Sequence, residues 1–553
     1  MKPASATSGF FQDGPVLENP YKDPGLERVL RYFVPAEVLT SADEELTSLG
    51  EKVISDEIFE YVEEAERNLP FIVEQDTFGH RVNRLVTSAG WKKLKEIAAE
   101  QGIIASSFER KFGQHSRVIA FTKELMFGPS SAIVSCPLAM ADGCARLIEM
   151  QNPAKDSWMY KAYQHLTSRD PSRAWTSGQW MTERPGGSDV SNTESVAYET
   201  SEGSYEIKGF KWFSSATDSE VTVTLAYRDQ ANGKKEGLSC FLGDVHGSLE
   251  KGGIRLHRLK QKFGTKALPT AELELTGLNA QLIGEPGKGV KTIAAVLNIT
   301  RIHSAIGSLG SWRRAYNIAK SYSQHRSVFG NKLCNVPAHV RTLANIEYQM
   351  RGYMLISFYA AYLMGRVETG QATREEMILI RIIPGLAKAK TCKAAVTGIS
   401  ECMEALGGVG FLEHDVRFNM GRLYTDAQVN CIWEGTTNVL CDDMVRYMKR
   451  AYRGIRPALE WLFKSKSDGG ELSAAVMQRF ANWKQVFANG DLETCRRQAR
   501  DIVFELSDII VCSLACADAT DANGRAVAEK WIYNKDPGYS TDRLVVYGPA
   551  THL

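Results

Sequence analysis

The sequence predicts an α+β protein made of segregated blocks: helices, then a β-barrel-like run of short strands, then helices, then a C-terminal helical extension. Three observations predict this. Apolar residues recur at helical spacing to about residue 170. They alternate at period two from there to about residue 285, and helical spacing returns at Val290 and persists. No Gly-x-Gly-x-x-Gly turn follows a strand, so a doubly wound nucleotide-binding sheet is not predicted.

The first block covers 1–170. Its opening residues hold acids, no arginine and no apolar centre, so they do not read as a leader peptide. Ser41 and Glu44 have capping-box spacing, which places a helix start at Ser41. Trp91 to Phe112 and Arg117 to Met150 read as helices. The second block, 171–285, reads as strands. Val196, Tyr198 and Thr200 alternate, Glu202-Gly203 turns the chain, and Tyr205 and Ile207 continue. Val221, Val223, Leu225 and Tyr227 form the next strand, with a turn at Asn232-Gly233. Leu238, Cys240 and Leu242 follow, then Leu273 and Leu275. The third block, 286–450, opens after Gly284 to Gly289 with Ile293, Ala294, Leu297, Ile302, Ala305, Ile306 and Leu309 on one helix face. The fourth, 451–553, is again helical.

Composition narrows the function classes. The chain has 553 residues, 44% hydrophobic and 24% charged, enough for several packed cores. Its 66 basic and 65 acidic side chains leave a formal charge of +1, with no global footprint for nucleic acid or an anionic membrane. No run of about 18 apolar residues exists, so no membrane-spanning helix is predicted. The 11 cysteines lack CxxC pairs and read as reduced thiols, with Cys512 and Cys516 at helix-core spacing and no metal set.

Three segments are candidates for chemistry. Met181-Thr-Glu-Arg-Pro-Gly-Gly-Ser-Asp-Val190 is a glycine-bearing loop able to present N–H and hydroxyl groups to a polar ring edge. Gly209-Phe-Lys-Trp-Phe-Ser-Ser215 places Trp212 for stacking and Ser214 as a donor. Cys431-Ile-Trp-Glu-Gly-Thr-Thr-Asn-Val439 sets Glu434 among apolar neighbours, where desolvation raises a carboxylate toward a useful base. Each has an ordinary reading too: a plain turn, a core tryptophan, a helix-terminus carboxylate.

Together, in this order around one β-domain, they resemble the acyl-CoA dehydrogenase family. In that family a Met-Thr-Glu…Gly-Ser-Asp loop precedes a strand with Trp-x-Ser/Thr. Arg-x-x-Phe-Gly, Leu-Gly-Gly-x-Gly and an aromatic-Glu-Gly-Thr segment follow. Here Arg326-Ser-Val-Phe-Gly330, Leu406-Gly-Gly-Val-Gly410 and Trp433-Glu-Gly-Thr436 stand in that order, the resemblance covering about residues 100–450. Gly186 to Thr193, the tryptophan before the glutamate and about 100 extra C-terminal residues resemble the AidB branch, bacterial proteins of the response to alkylation.

The resemblance implies two helical domains around a β-domain, with FAD in the crevice. Met181, Thr182, Gly187, Ser188, Trp212 and Ser214 match positions around the flavin ring. Arg326 and Phe329 match residues that reach the pyrophosphate and adenosine of a neighbouring subunit's FAD. Glu404, where glutamine is frequent, matches the adenosine segment with Gly407 and Gly408, and Thr436 and Asn438 match further FAD contacts. Ser188, Arg301 and Gly435 match substrate positions. Glu434 matches the base that takes the proton α to a thioester while the β-hydride passes to flavin N5.

The implied function is FAD-dependent α,β-dehydrogenation of an acyl-CoA in fatty acid metabolism, by a homotetramer. Electrons would pass to an electron-transfer flavoprotein or to oxygen. Two alternatives stay open: a flavoenzyme acting on a non-CoA substrate, and an AidB-like stress-response flavoprotein with little dehydrogenase activity. Thirteen basic and thirteen acidic residues follow residue 450, so a nucleic-acid partner is disfavoured and Arg496, Arg497 and Arg500 read as a solvated helix face. The ending Thr-His-Leu553 loosely resembles a peroxisomal address, leaving a cytoplasmic or peroxisomal compartment.

Overall fold

A computed structural model describes residues 13–229 and 237–549. The turn expected at Asn232-Gly233 and the tail 551–553 lie outside the described residues, as do residues 1–12. The first block holds α1 (Pro24–Phe33), α2 (Ala36–Lys52), α3 (Asp56–Arg67), a hairpin of β1 (Phe71–Gln75) and β2 (Arg81–Val86), α4 (Ala89–Glu100), α5 (Ala105–Glu109), α6 (Ser116–Phe127), α7 (Ser135–Gln151) and α8 (Trp158–Leu166). Four details differ from the sequence reading. Ser41 is interior to α2, which starts after Pro35, because a proline fits a helix start and leaves the capping box at Ser41 without a role. The stretch after Trp91 breaks at Gly102, which takes φ +61. The stretch after Arg117 breaks at Gly128-Pro129, where the proline cannot donate to the preceding turn. The hairpin is an addition, closed by Asp76, whose Oδ1 accepts from the N–H groups of Phe78 and His80.

The middle block holds β3 (Ser177–Trp180), β4 (Val196–Ser201), β5 (Ser204–Ser215), β6 (Val221–Arg228), β7 (Ser239–Asp244), a short α9 (Val245–Glu250), β8 (Ile254–Leu259) and β9 (Thr270–Ile283). The pairings β6–β4, β4–β5, β5–β9, β9–β7 and β7–β6 close into a ring, with β3 parallel beside β6 and β8 beside β9. Closure removes most strand edges and encloses a core of Ile207, Phe241, Leu273 and Leu278, each fully buried. The expected barrel-like domain between helical blocks is thus what the chain forms.

The third block begins with α10 (Gly289–His325), a 37-residue helix. A small hairpin of β10 (Ser327–Val328) and β11 (Asn331–Lys332) follows, then α11 (Pro337–Glu368), α12 (Arg374–Leu379), α13 (Ile383–Ala405) and α14 (Met420–Val429). Next, α15 (Thr437–Ser465) runs unbroken past residue 450. Finally come α16 (Glu471–Asn489), α17 (Leu492–Arg497), α18 (Ala499–Asp518), α19 (Ala522–Tyr533) and α20 (Tyr539–Tyr547). Ile502, Val503, Leu506, Ile510 and Leu514 of α18 join one apolar cluster with α1, α11, α13 and α15, so the extension packs on the body of the molecule. Cys512 and Cys516 are buried there, as their spacing suggests.

Candidate active site

Backbone pairing brings the first two segments together. The N–H of Trp212 donates to the carbonyl of Thr182 at 2.9 Å, stitching the loop after β3 to β5. Glu183 adds a buried clamp. Its Oε1 accepts from Lys211 Nζ and Ser195 Oγ, each at 2.6 Å, and its Oε2 from the N–H of Glu194 at 2.6 Å. The sequence reading assigned Glu183 no role. Its partner Lys211 points inward because residues alternate along a strand and Trp212 faces the other way. Met181 and Thr182 are half-buried here, whereas Gly187 and Ser188 are exposed on the loop. A Cβ on Gly187 would meet Thr182 Oγ1 at 2.8 Å, so the loop doubles back closely there.

Glu434 lies just before α15. It adopts φ +55 and Gly435 φ +97, so two successive residues are left-handed. For a non-glycine residue that costs about 1 kcal/mol, and such strain is concentrated at functional sites. Thr300 Oγ donates to Glu434 Oε2 at 2.6 Å. Burial raises the Glu434 carboxyl above the ordinary range, opposed by the Thr300 hydroxyl, the charges of Arg301 and Lys388, and the Gln179 side chain. A carboxylate held this way takes a proton more readily near neutral pH than an exposed one. Gln179 is two residues before Met181, so the end of β3 that leads into the glycine-bearing loop reaches Glu434.

Two buried polar atoms face this region without a partner in the described structure: Ser214 Oγ and Gln179 Oε1. Buried polar groups usually have a hydrogen-bond partner, so these atoms could pair with a bound polar group. Trp212 is half-exposed, with Lys260 Nζ 3.3 Å from its ring centroid. A flat ring with hydrogen-bonding edges, beside Trp212 and Ser214, fits this set. Arg301 Nε is likewise buried and unpaired, and burial lowers the Arg301 pKa against the pull of Glu434 and Asp443. Trp433 packs against the helical core and donates from Nε1 to Asn430 Oδ1 at 2.9 Å.

The remaining predicted positions lie elsewhere. Thr436 is an exposed N-cap without a side-chain cap bond, and Asn438 Oδ1 accepts from Arg500 at 2.8 Å. Arg496 pairs with Asp442 at 2.6 Å, so two of the three clustered arginines are engaged within the chain. Glu404, Gly407 and Gly408 are exposed, and a Cβ on either glycine would meet nothing within 4 Å. Arg326 and Phe329 sit past the far end of α10, roughly 38 Å along the axis from Thr300. Phe329 is fully exposed, at 103%. That hairpin does not reach its own chain's Glu434. Among the described residues no group of His, Cys, Asp and Glu is arranged for a metal ion. No described helix is long and apolar enough to cross a membrane.

Three family models match in succession: Adaptive response protein AidB N-terminal domain over 21–166, Acyl-CoA dehydrogenase middle domain over 178–278, and Acyl-CoA dehydrogenase C-terminal domain over 287–449. The chain is 43% identical over 451 residues to Acyl-CoA dehydrogenase family member 11 of Caenorhabditis elegans, covering 80% of this chain and 72% of that protein. It is 30% identical over 414 residues to Putative acyl-CoA dehydrogenase AidB of Escherichia coli, covering 73% and 74%. The crystal structure of C. elegans ACDH-11 in complex with C11-CoA matches with a TM-score of 0.89 and 36% identity, covering 98% of each chain.

Proposed function

The chain belongs to the acyl-CoA dehydrogenase family, in its AidB-like branch, and on that premise we propose that it oxidises an acyl-CoA thioester across the α and β carbons with Glu434 as the base. It is an oxidoreductase of CH–CH donors, and FAD is the family's cofactor. The observation that carries the reading is the Glu434 carboxylate, desolvated, hydrogen-bonded to Thr300, and reached by the Gln179 side chain from the strand that leads into the candidate flavin loop.

Trp212 and Ser214 would hold one face and edge of the ring, with Met181, Thr182, Gly187 and Ser188 along the loop. Bound FAD supplies the oxidant that accepts the β-hydride. The chain's own work is positional and acid–base. Burial keeps Glu434 poised, the Thr300 hydroxyl orients one carboxylate oxygen, and the left-handed turn at Glu434-Gly435 fixes the approach to the α-carbon. Arg301, with an unsatisfied Nε beside Glu434, suits the polar end of the acyl-CoA, and Gly435 supplies the second left-handed residue of the turn. The C11-CoA of the nematode structure supports a long acyl chain as a substrate class.

Arg326 and Phe329 are read as serving the FAD of a neighbouring subunit, a role supported by their distance from Thr300 and by the exposure of Phe329. This favours an oligomer, taken as the homotetramer, with an electron-transfer flavoprotein or oxygen as acceptor. Glu434→Gln tests the base directly. The variant should keep its flavin and bleach with acyl-CoA at least about a hundredfold more slowly than the parent. Bleaching at the parental rate would remove Glu434 from this role.

A further inference from the structure

Lys388, on α13, is 1% exposed. Its Nζ donates to the carbonyl of Gly435 at 2.5 Å, the only hydrogen-bond acceptor shown for it among the described residues. Among the described residues no carboxylate lies within ion-pair distance of it. Burying an ammonium ion is costly, and one hydrogen bond from a charged donor returns only part of that cost. An apolar side chain of similar length would hold α13 at least as well. The charge is therefore a poor stabilising device, and its position points to another use.

The carbonyl that Lys388 reaches belongs to the residue after Glu434, within the left-handed pair Glu434-Gly435. We propose that Lys388 is a positioning residue for the reaction: it pins the Gly435–Thr436 peptide, so fixing the turn that carries Glu434, and sets a buried positive charge beside that carboxylate. The inference rests on the reading of Glu434 as the base.

The charged and titratable surroundings are few. Arg301 on α10, Lys388 on α13 and Cys136 on α7 interact with Glu434. Cys392, Cys431, Glu434 and Arg301 interact with Lys388. Burial pushes Cys136 and Cys392 up to about 12 and raises Cys431, so these thiols stay neutral where a carboxylate titrates. Lys388 and Arg301 are then the two cations that favour ionised Glu434. Removing Lys388 moves the Glu434 titration upward.

Two variants separate charge from hydrogen bond. Lys388→Gln removes the charge and keeps a donor, and Lys388→Met removes both. The titration of Glu434 is read on the flavin-loaded protein without substrate, by carbon-13 carboxyl spectra of glutamate-labelled protein, with Glu434→Gln as the blank. Both variants should raise the midpoint by about one pH unit. In anaerobic flavin reduction by acyl-CoA, the rising limb of the pH–rate profile should move by the same amount in both. The plateau should fall roughly tenfold in Lys388→Met only. Should Lys388→Met fail to fold, Lys388→Gln still decides the electrostatic part. An unmoved midpoint in a folded variant would overturn the proposal, even if the parent oxidises acyl-CoA. A parent that reduces with no acyl-CoA would instead overturn the reading of Glu434 as base, while a moved midpoint would still show that Lys388 tunes this carboxylate.

Discussion

At the scale of single residues, Glu434, read as the base, carries two opposed demands. A base must be reachable and ionised, yet the burial that raises its affinity for protons makes the ionised form costly. The folded-state pKa lies above the unfolded one, so the native state binds the proton more tightly. The cost is absent below the unfolded pKa and complete above the folded one. Glu434→Gln should therefore melt about a degree or two above the parent at neutral pH, with the gain shrinking as pH falls through the carboxylate range. Melting curves of both proteins across pH check this, and a difference that stays constant or grows toward acid would contradict it. Glu434 was legible in the sequence because it stands in a short segment whose neighbours are informative. Lys388, Gln179 and Glu183 were not. A lysine within Ala-Lys-Ala-Lys reads as a solvated helix face, and only the packing of α13 reveals that Lys388 is inside. Glu183 sat within a recognised motif, but its partners Ser195 and Lys211 are distant in sequence.

At the scale of elements, α10 organises the site. It presents Thr300 and Arg301 near its start and launches the Phe329 hairpin from its end. A single helix thus ties the carboxylate site to an exposed hairpin at its far end. Arg326→Ala should leave the fold and Glu434 untouched and weaken flavin retention by roughly tenfold, as expected for loss of one charge-assisted contact to a phosphate. Flavin content after dialysis measures this, and unchanged content would remove Arg326 from that role. The long helices and alternating strands were legible because their periods persist over many residues. The breaks were harder: Gly102 ends a helix by taking a left-handed turn, and the Asp76 turn makes a hairpin of a segment with little alternation. Ser41 had the right chemistry for a cap, but Pro35 had already started the helix.

At the scale of the whole molecule, the barrel sits between helical blocks and the chain's last hundred residues share the apolar core of the rest. Their balance of charge was legible, and it agrees with a region engaged in packing. What was not legible is that α18 lies against α11, α13 and α15, because apolar spacing shows which face is buried and not against what. This continuous core packs α13, which carries Lys388, with α15, which follows the turn at Glu434. Anaerobic titration of the flavin-loaded protein with saturated acyl-CoAs of graded length and branching tests the functional reading most directly. We expect the yellow absorbance to bleach in the parent with at least one of them, yielding the α,β-unsaturated thioester, and to persist with all of them in Glu434→Gln. A parent that retains its flavin and bleaches with none of them would contradict acyl-CoA oxidation as its reaction.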